Sequence, residues 1–295
     1  SEEAYQDFLA TGDQDFSVSV PGLGRFRVNT FKQRGSLAAA IRIVFTELPN
    51  PQELLIPQSV LDLHKYNKGL ILVTGPTGSG KSTTLSCIID LINSTRKCHI
   101  LTLEEPIEFL HRHKNSIVNQ REIGQDTRSY ARALRSALRE SPDVILVGEM
   151  RDLETIAIAM TAAETGHLVL STLHTLGAAK TIDRIIDVFP PNQQHQIRIQ
   201  LSTVLQAVVS QQLLPSPVRG RVAAFEVMIA NNAIRNLIRE AKTYQLDSTI
   251  HMGRSEGMMS MDYSIARLWK AGLVTKEDAL LYCLNQDVTL KYMQD

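Results

Sequence analysis

Residues 72–85, "LVTGPTGSGKSTTL", crowd three glycines, a proline and several hydroxyls between an apolar run and an apolar periodic segment, with one lysine at the junction. A packed core has no use for this arrangement, but a phosphate does. Gly75, Gly80, Lys81 and Ser82 satisfy the pattern G-x-x-x-x-G-K-[ST]. Glycine lets backbone approach a ligand with no Cβ in the way. A loop running through Gly75, Pro76, Thr77, Gly78, Ser79 and Gly80 can therefore aim several N–H groups at one anion. The following helix adds the positive end of its dipole. Lys81 is placed to reach the β- and γ-phosphates. The Ser82 hydroxyl is placed to ligate Mg²⁺, with Thr83 beside it. ATP and Mg²⁺ are the expected ligands.

The flanks agree. "GLILV" (Gly69 to Val73) predicts a short buried strand. Leu85, Ile88, Ile89 and Ile92 fall at i, i+3, i+4 and i+7, one face of a helix. Strands are expected at 70–74 (this same run), 99–103, 144–147 and 168–172, and helices at about 82–94, 127–140 and 153–164. The middle helix places Tyr130, Leu134, Ala137 and Leu138 on one face. Such alternation predicts an α/β fold with a mostly parallel sheet covered on both sides. Beyond Pro190 and Pro191 the pattern turns largely helical.

The beginning differs. "FSVSV" and "RFRVNTF" alternate like two strands joined by a turn at Pro21 to Gly24, and "SLAAAIRIVF" predicts a helix. "ELPNPQELLIPQS" has the composition of a linker. The expected organisation is a partial N-terminal domain over 1–48, a linker at 49–53 and a second domain over 54–295. The N-terminal strand pair lacks obvious partner strands, so the chain is expected to start inside a small α/β domain.

Two acidic segments follow apolar strands. "SPDVILVGEMRD" ends a strand at Gly148 and Glu149, where a carboxylate can hold Mg²⁺ or the attacking water. "ILTLEEPIEF" carries Glu104, Glu105 and Glu108, three carboxylates close enough to need a cation nearby. A solvated loop would account for them equally well on position alone. "TGHLVLSTLHT" puts His167 and His174 at opposite ends of one strand. His174, at the C-terminal end, is placed to sense the γ-phosphate, and His167 is the weaker candidate.

Bulk properties narrow the classes. The 295 residues carry a formal charge of zero, so no global basic field draws the protein to nucleic acid. No apolar run approaches a membrane span, and no signal peptide is visible. Cys87, Cys98 and Cys283 are scattered and form no C-x-x-C pair, which argues against structural zinc or a disulfide framework.

In combination, "GPTGSGKST", "LEEPIEF", "RSALRESPDVILVGEMRDLETI", "TAAETGHLVLSTLHT" and "AAKTIDRIIDVFP" resemble the secretion and type IV pilus motor ATPases, with their Walker A, Asp, Walker B and His boxes. "AIRNLIRE" (Ala233 to Glu240) is similar to a signature of the family's retraction branch, and the assembly branch's tetracysteine motif is missing. The resemblance implies a PAS-like N-terminal domain, a RecA-like ATPase domain with a helical part from about residue 191, and a ring of six subunits. It further implies a cytoplasmic location at the inner face of the membrane and a platform protein of the pilus machinery as partner. Carried over by position, Glu108 is the general base, Glu149 the Walker B carboxylate near Mg²⁺, and Glu104 part of the same network. Glu105 departs from the family's aspartate and receives no role. Arg34 and Arg42 are the N-terminal arginines expected to reach the phosphates of a closed site, while Arg25 and Arg27 are expected on a solvated face. The rival readings are a secretion or pilus-assembly ATPase, a nucleic-acid translocase on the same core, and a nucleotide-switched assembly module.

Overall fold

The structure, a computed structural model, describes residues 2–20, 23–44, 48 and 50–294. The predicted turn at Pro21 to Gly24 and the linker at 49–53 therefore lie partly outside the described residues.

The N-terminal part is a helix, α1 (Glu2–Thr11), followed by three antiparallel strands in the order β1 (Asp13–Val20), β2 (Gly24–Gln33) and β3 (Ser36–Val44). The helix expected at "SLAAAIRIVF" is instead this third strand as far as Val44. Its alanines favour a helix locally, yet Gln33 pairs with Ser36 across a two-residue turn. Arg34 and Gly35 hold that turn with φ of 48° and 78°. Two successive positive φ values make the tight hairpin turn whose twist suits paired strands, so the chain folds back and pairing overrides propensity.

The larger part opens with α2 (Gln58–Leu61). It then runs β4 (Gly69–Thr74), α3 (Lys81–Thr95), β5 (His99–Glu104), β6 (Ile117–Glu122), α4 (Tyr130–Ala137), β7 (Val144–Val147), α5 (Leu153–Glu164), β8 (Leu168–Leu173), α6 (Ala178–Asp187) and α7 (Pro191–Val204). Two long strands follow, β9 (Leu205–Ser216) and β10 (Gly220–Ile229). The chain ends in α8 (Asn232–Arg239), α9 (Leu246–Met252), α10 (Met261–Lys270), α11 (Lys276–Tyr282) and α12 (Gln286–Gln294).

Seven strands form one sheet in the order β10-β9-β4-β8-β7-β5-β6, parallel except for the β9/β10 hairpin. β4 shows why the sheet is covered on both faces. Leu70 and Leu72 join one core with Leu134, Ile156, Ile182 and Leu201 from α4 to α7. Ile71 and Val73 join the opposite core with Ile88, Ile89 and Ile92 of α3. Alternate residues of a strand point to opposite faces, so a strand buried on both sides reads as a continuous apolar run.

The expectation of a helical region after residue 191 fails at β9 and β10. Pro215 and Pro217 discourage a strand there, but β4 pairs with β9 only from Leu205 to Ser210. Pro215 lies beyond that stretch, paired with Arg221 of β10 alone. A proline is tolerated where one side of a strand makes no ladder.

Candidate active site

The C-terminal ends of β4, β5, β7 and β8, neighbours in the sheet, converge on a cavity of about 450 Å³. Ligands of open α/β sheets bind at this edge. Thr77, Gly78, Gly80, Lys81, Ser82 and Thr83 line the cavity from the loop after β4 and the first turn of α3. Glu104 lines it from the end of β5, Glu105 and Glu108 from the loop that follows, and Glu149 and His174 from just beyond the ends of β7 and β8.

The phosphate loop is seated on β9. A Cβ on Gly75 would stand 2.0 Å from the Gln211 carbonyl oxygen. Gly75, Gly78 and Gly80 all have positive φ, and open space surrounds a Cβ built on Gly78. Gln211 braces the loop through its side chain: Thr84 Oγ1 donates to its Oε1 at 2.7 Å, and its Nε2 donates to the Ser79 carbonyl at 2.5 Å. Lys81 is 8% exposed and donates to the carbonyls of Gly75 (2.8 Å) and Pro76 (3.1 Å). Burial lowers its pKa, and the charges of Glu149 and Glu108 oppose that shift.

The donor set fits a magnesium nucleotide. Ser79 Oγ is a buried hydroxyl oxygen without a partner, and no side chain caps the N-terminus of α3. Helix-terminal N–H groups left open in this way bind anions. Ser82, Glu104 and Glu149 supply hard oxygen donors to the same cavity. Among the described residues no group of three or more His, Cys, Asp or Glu side chains could form a metal cage. Mg²⁺ needs none, since it is commonly held by substrate phosphates with one or two carboxylates.

The acidic groups differ in their surroundings. Glu149 Oε2 lies 2.6 Å from Arg151 Nε and 3.2 Å from His174 Nε2. Burial raises the Glu104 pKa to about 7, against hydrogen bonds from Thr102 Oγ1 (2.6 Å) and Gln120 Nε2 (3.1 Å). Burial also raises the Tyr130 pKa, reinforced by Glu105, Glu149 and Glu104. A Cβ on Gly148 would meet the Tyr130 hydroxyl at 2.8 Å, so the turn before Glu149 admits this phenol only as glycine.

Gly75, Pro76 and Ser79 shape the loop without lining the cavity, and three further expected residues lie away from it. His167 sits at the opposite end of β8, roughly 23 Å of extended chain from His174, and its Nδ1 lies 3.0 Å from the Ala162 carbonyl. It closes the turn between α5 and β8. Arg34, at the hairpin tip, and Arg42, on β3, are both exposed and do not line the cavity. Arg151, Tyr130, Leu213 and Arg221 do line it. Arg151 follows Glu149 by two residues and is legible in retrospect. Leu213 and Arg221 arrive on strands that local sequence hid.

The sequence profile of the family described as "Type II/IV secretion system protein" matches residues 57–270. The chain belongs to this family. It is 52% identical over 275 residues to the "Type IV pilus retractation ATPase PilT" of Pseudomonas aeruginosa, covering 93% of this chain and 79% of that protein. It is 53% identical over 274 residues to the "Twitching motility protein" of Neisseria gonorrhoeae, covering 92% and 73%. A solved structure described as the pilus retraction motor PilT with bound ADP superposes with a TM-score of 0.92 at 54% identity, covering 97% of this chain and 82% of the other. The secretion-family fold thus comprises a RecA-like ATPase core with a small N-terminal antiparallel sheet. Among the described residues no helix is long and apolar enough to cross a membrane.

Proposed function

We propose that this protein is a motor ATPase that hydrolyses ATP to drive type IV pilus retraction. It acts as a ring of six at the inner face of the cytoplasmic membrane, with a membrane-embedded platform protein as partner. The observation that carries the chemistry is the convergence of Lys81, Ser82, Glu104, Glu108, Glu149 and His174 on one cavity at the C-terminal edge of the sheet. The likeness to PilT over nearly the whole chain supports retraction as the work done.

Ser82 and Glu149 would hold Mg²⁺, which supplies charge neutralisation on the phosphates. Lys81 leaves its loop carbonyls to meet the β- and γ-phosphates. Arg151 and His174 already occupy one oxygen of Glu149, which leaves that carboxylate less free to reach a water. Glu108 is exposed in the cavity and takes the proton of the attacking water. Glu104 belongs to the same acidic network. His174 joins the γ-phosphate side of the loop to Glu149. Arg34 and Arg42 reach the phosphates of a neighbouring subunit on closure, which ties chemistry to subunit position.

ATP turnover, with and without DNA, together with restoration of twitching in a retraction-deficient strain, tests this function. DNA-independent turnover and restored twitching are expected. Turnover that requires DNA would identify a translocase instead.

A further inference from the structure

Glu122 ends the edge strand β6 and is 4% exposed. Its carboxylate faces two parts of the molecule at once. Oε2 accepts from Arg25 Nη2 at 2.9 Å, and Oε1 accepts from Ser17 Oγ at 2.7 Å. Both donors lie on the N-terminal sheet. Oε2 also accepts from the Ile107 backbone N–H at 3.1 Å, and Ile107 adjoins Glu108. Two residues earlier on β6, Gln120 holds the other end of the same loop, donating to Glu104 Oε1 and to the Phe109 carbonyl at 2.9 Å. The acidic loop is thus pinned by β6, and β6 is gripped by the N-terminal sheet through one carboxylate.

Arg25 is accordingly not on a solvated face. Its side chain is 19% exposed and forms the one ion pair between the N-terminal sheet and the larger part among the described residues. Its Nε is buried without a partner. An incompletely satisfied guanidinium makes the contact easier to break than a fully paired one.

We propose that the Arg25–Glu122 pair is a latch through which the position of the N-terminal sheet sets the acidic loop carrying Glu108. With the latch made, Glu122 holds the Ile107 amide and Glu108 stands in the cavity. When the sheet moves away, Glu122 loses its cation, its carboxylate reorients towards water, and the loop loses that anchor. Arg25 and Glu122 are positioning residues, and their link to hydrolysis rests on the role given above to Glu108.

The test uses the full chain with Arg25→Ala, Arg25→Lys, Glu122→Gln and the Arg25→Ala/Glu122→Gln double variant. Arg121→Ala serves as control, since Arg121 pairs with Glu140 and not with the N-terminal sheet. Hydrogen exchange of residues 105–109 reads the latch directly. Faster exchange there is expected in Arg25→Ala and Glu122→Gln, with the protection of β4 to β8 unchanged. kcat should fall about tenfold while ATP affinity changes by less than about twofold, and the double variant should be no worse than the singles. Arg25→Lys should recover most of the turnover, because the contact is a single N–H to one oxygen. Wild-type exchange at 105–109 in both single variants, or additive losses in the double variant, would overturn the latch. If Arg25→Ala does not fold, Arg25→Gln replaces it, with the same exchange criterion. Glu108→Gln is run alongside: full turnover there would remove the role given to Glu108, while exchange still decides the latch.

Discussion

His174 Nε2 lies 3.2 Å from Glu149 Oε2, while its other nitrogen, Nδ1, lies 3.5 Å from Thr77 Oγ1. One imidazole therefore spans the end of β7 and the phosphate loop, with Arg151 sharing the same carboxylate oxygen. Replacing His174 by Ala should lower kcat about tenfold, the scale of one hydrogen bond to a charged group, with ATP affinity little changed. Gln at this position should restore part of the loss. Steady-state kinetics of the two variants check this, and a wild-type rate in His174→Ala would remove the histidine from the mechanism.

Lys81→Ala should preserve the fold and weaken ATP binding by at least about tenfold, consistent with ~1.5–3 kcal/mol for a charge-assisted hydrogen bond. Turnover should become undetectable. Binding of a fluorescent nucleotide and a melting curve separate the two effects.

Gln211 braces the loop from β9 and is 2% exposed. Gln211→Ala leaves the Ser79 carbonyl and Thr84 hydroxyl without this partner, at a cost of ~1–3 kcal/mol for a buried polar group left unsatisfied. ATP affinity and melting temperature should therefore fall together. Gly75→Ala should be worse, because its Cβ would collide with backbone. Unchanged affinity in both variants would show that β9 does not support the loop.

Burial raises the Glu226 pKa to about 7, aided by Asp247 and Asp262 and opposed by the backbone amides of Ala178 and Met261. The folded protein thus binds this proton more tightly than the unfolded chain does. Its contribution to stability is fully present below about pH 4.5 and is lost as pH rises through about 7. Glu226→Gln keeps an acceptor for the Ala178 amide, 2.7 Å away, and removes the titration. Its melting temperature should decline less between pH 5 and pH 8 than that of the parent. Glu104, also raised to about 7, should retain the remainder of the slope. Parallel pH profiles would refute the assignment.

Arg34 and Arg42 are exposed and absent from their own chain's cavity. If they complete a neighbouring subunit's site on closure, Arg→Ala at either position should depress kcat more than affinity. Lysine should rescue poorly, lacking the planar fork that grips a phosphate. Equal affinity and kcat in the variants and the parent would place both on a solvated face.

The sequence by itself determined the phosphate loop and the strand and helix that flank it. These signals are local. A glycine loop between an apolar run and a helical stripe has few alternatives, and Leu85, Ile88, Ile89 and Ile92 are all buried on α3 as their spacing requires. Glu149 and His174 could be placed because each ends a short apolar strand. Tertiary structure decided what depended on distant partners. β3 is a strand because Arg34 and Gly35 turn it back onto β2, although its alanines favour a helix. β9 and β10 join the sheet because β4 offers β9 an edge, and only then do Leu213 and Arg221 reach the cavity. His167 and His174 differ only in which end of β8 they occupy. Arg25 was indistinguishable from a surface arginine until folding set it against Glu122, 97 residues away. Propensity and periodicity act over a few residues, whereas strand pairing and ion pairing are settled by whichever distant group can satisfy them.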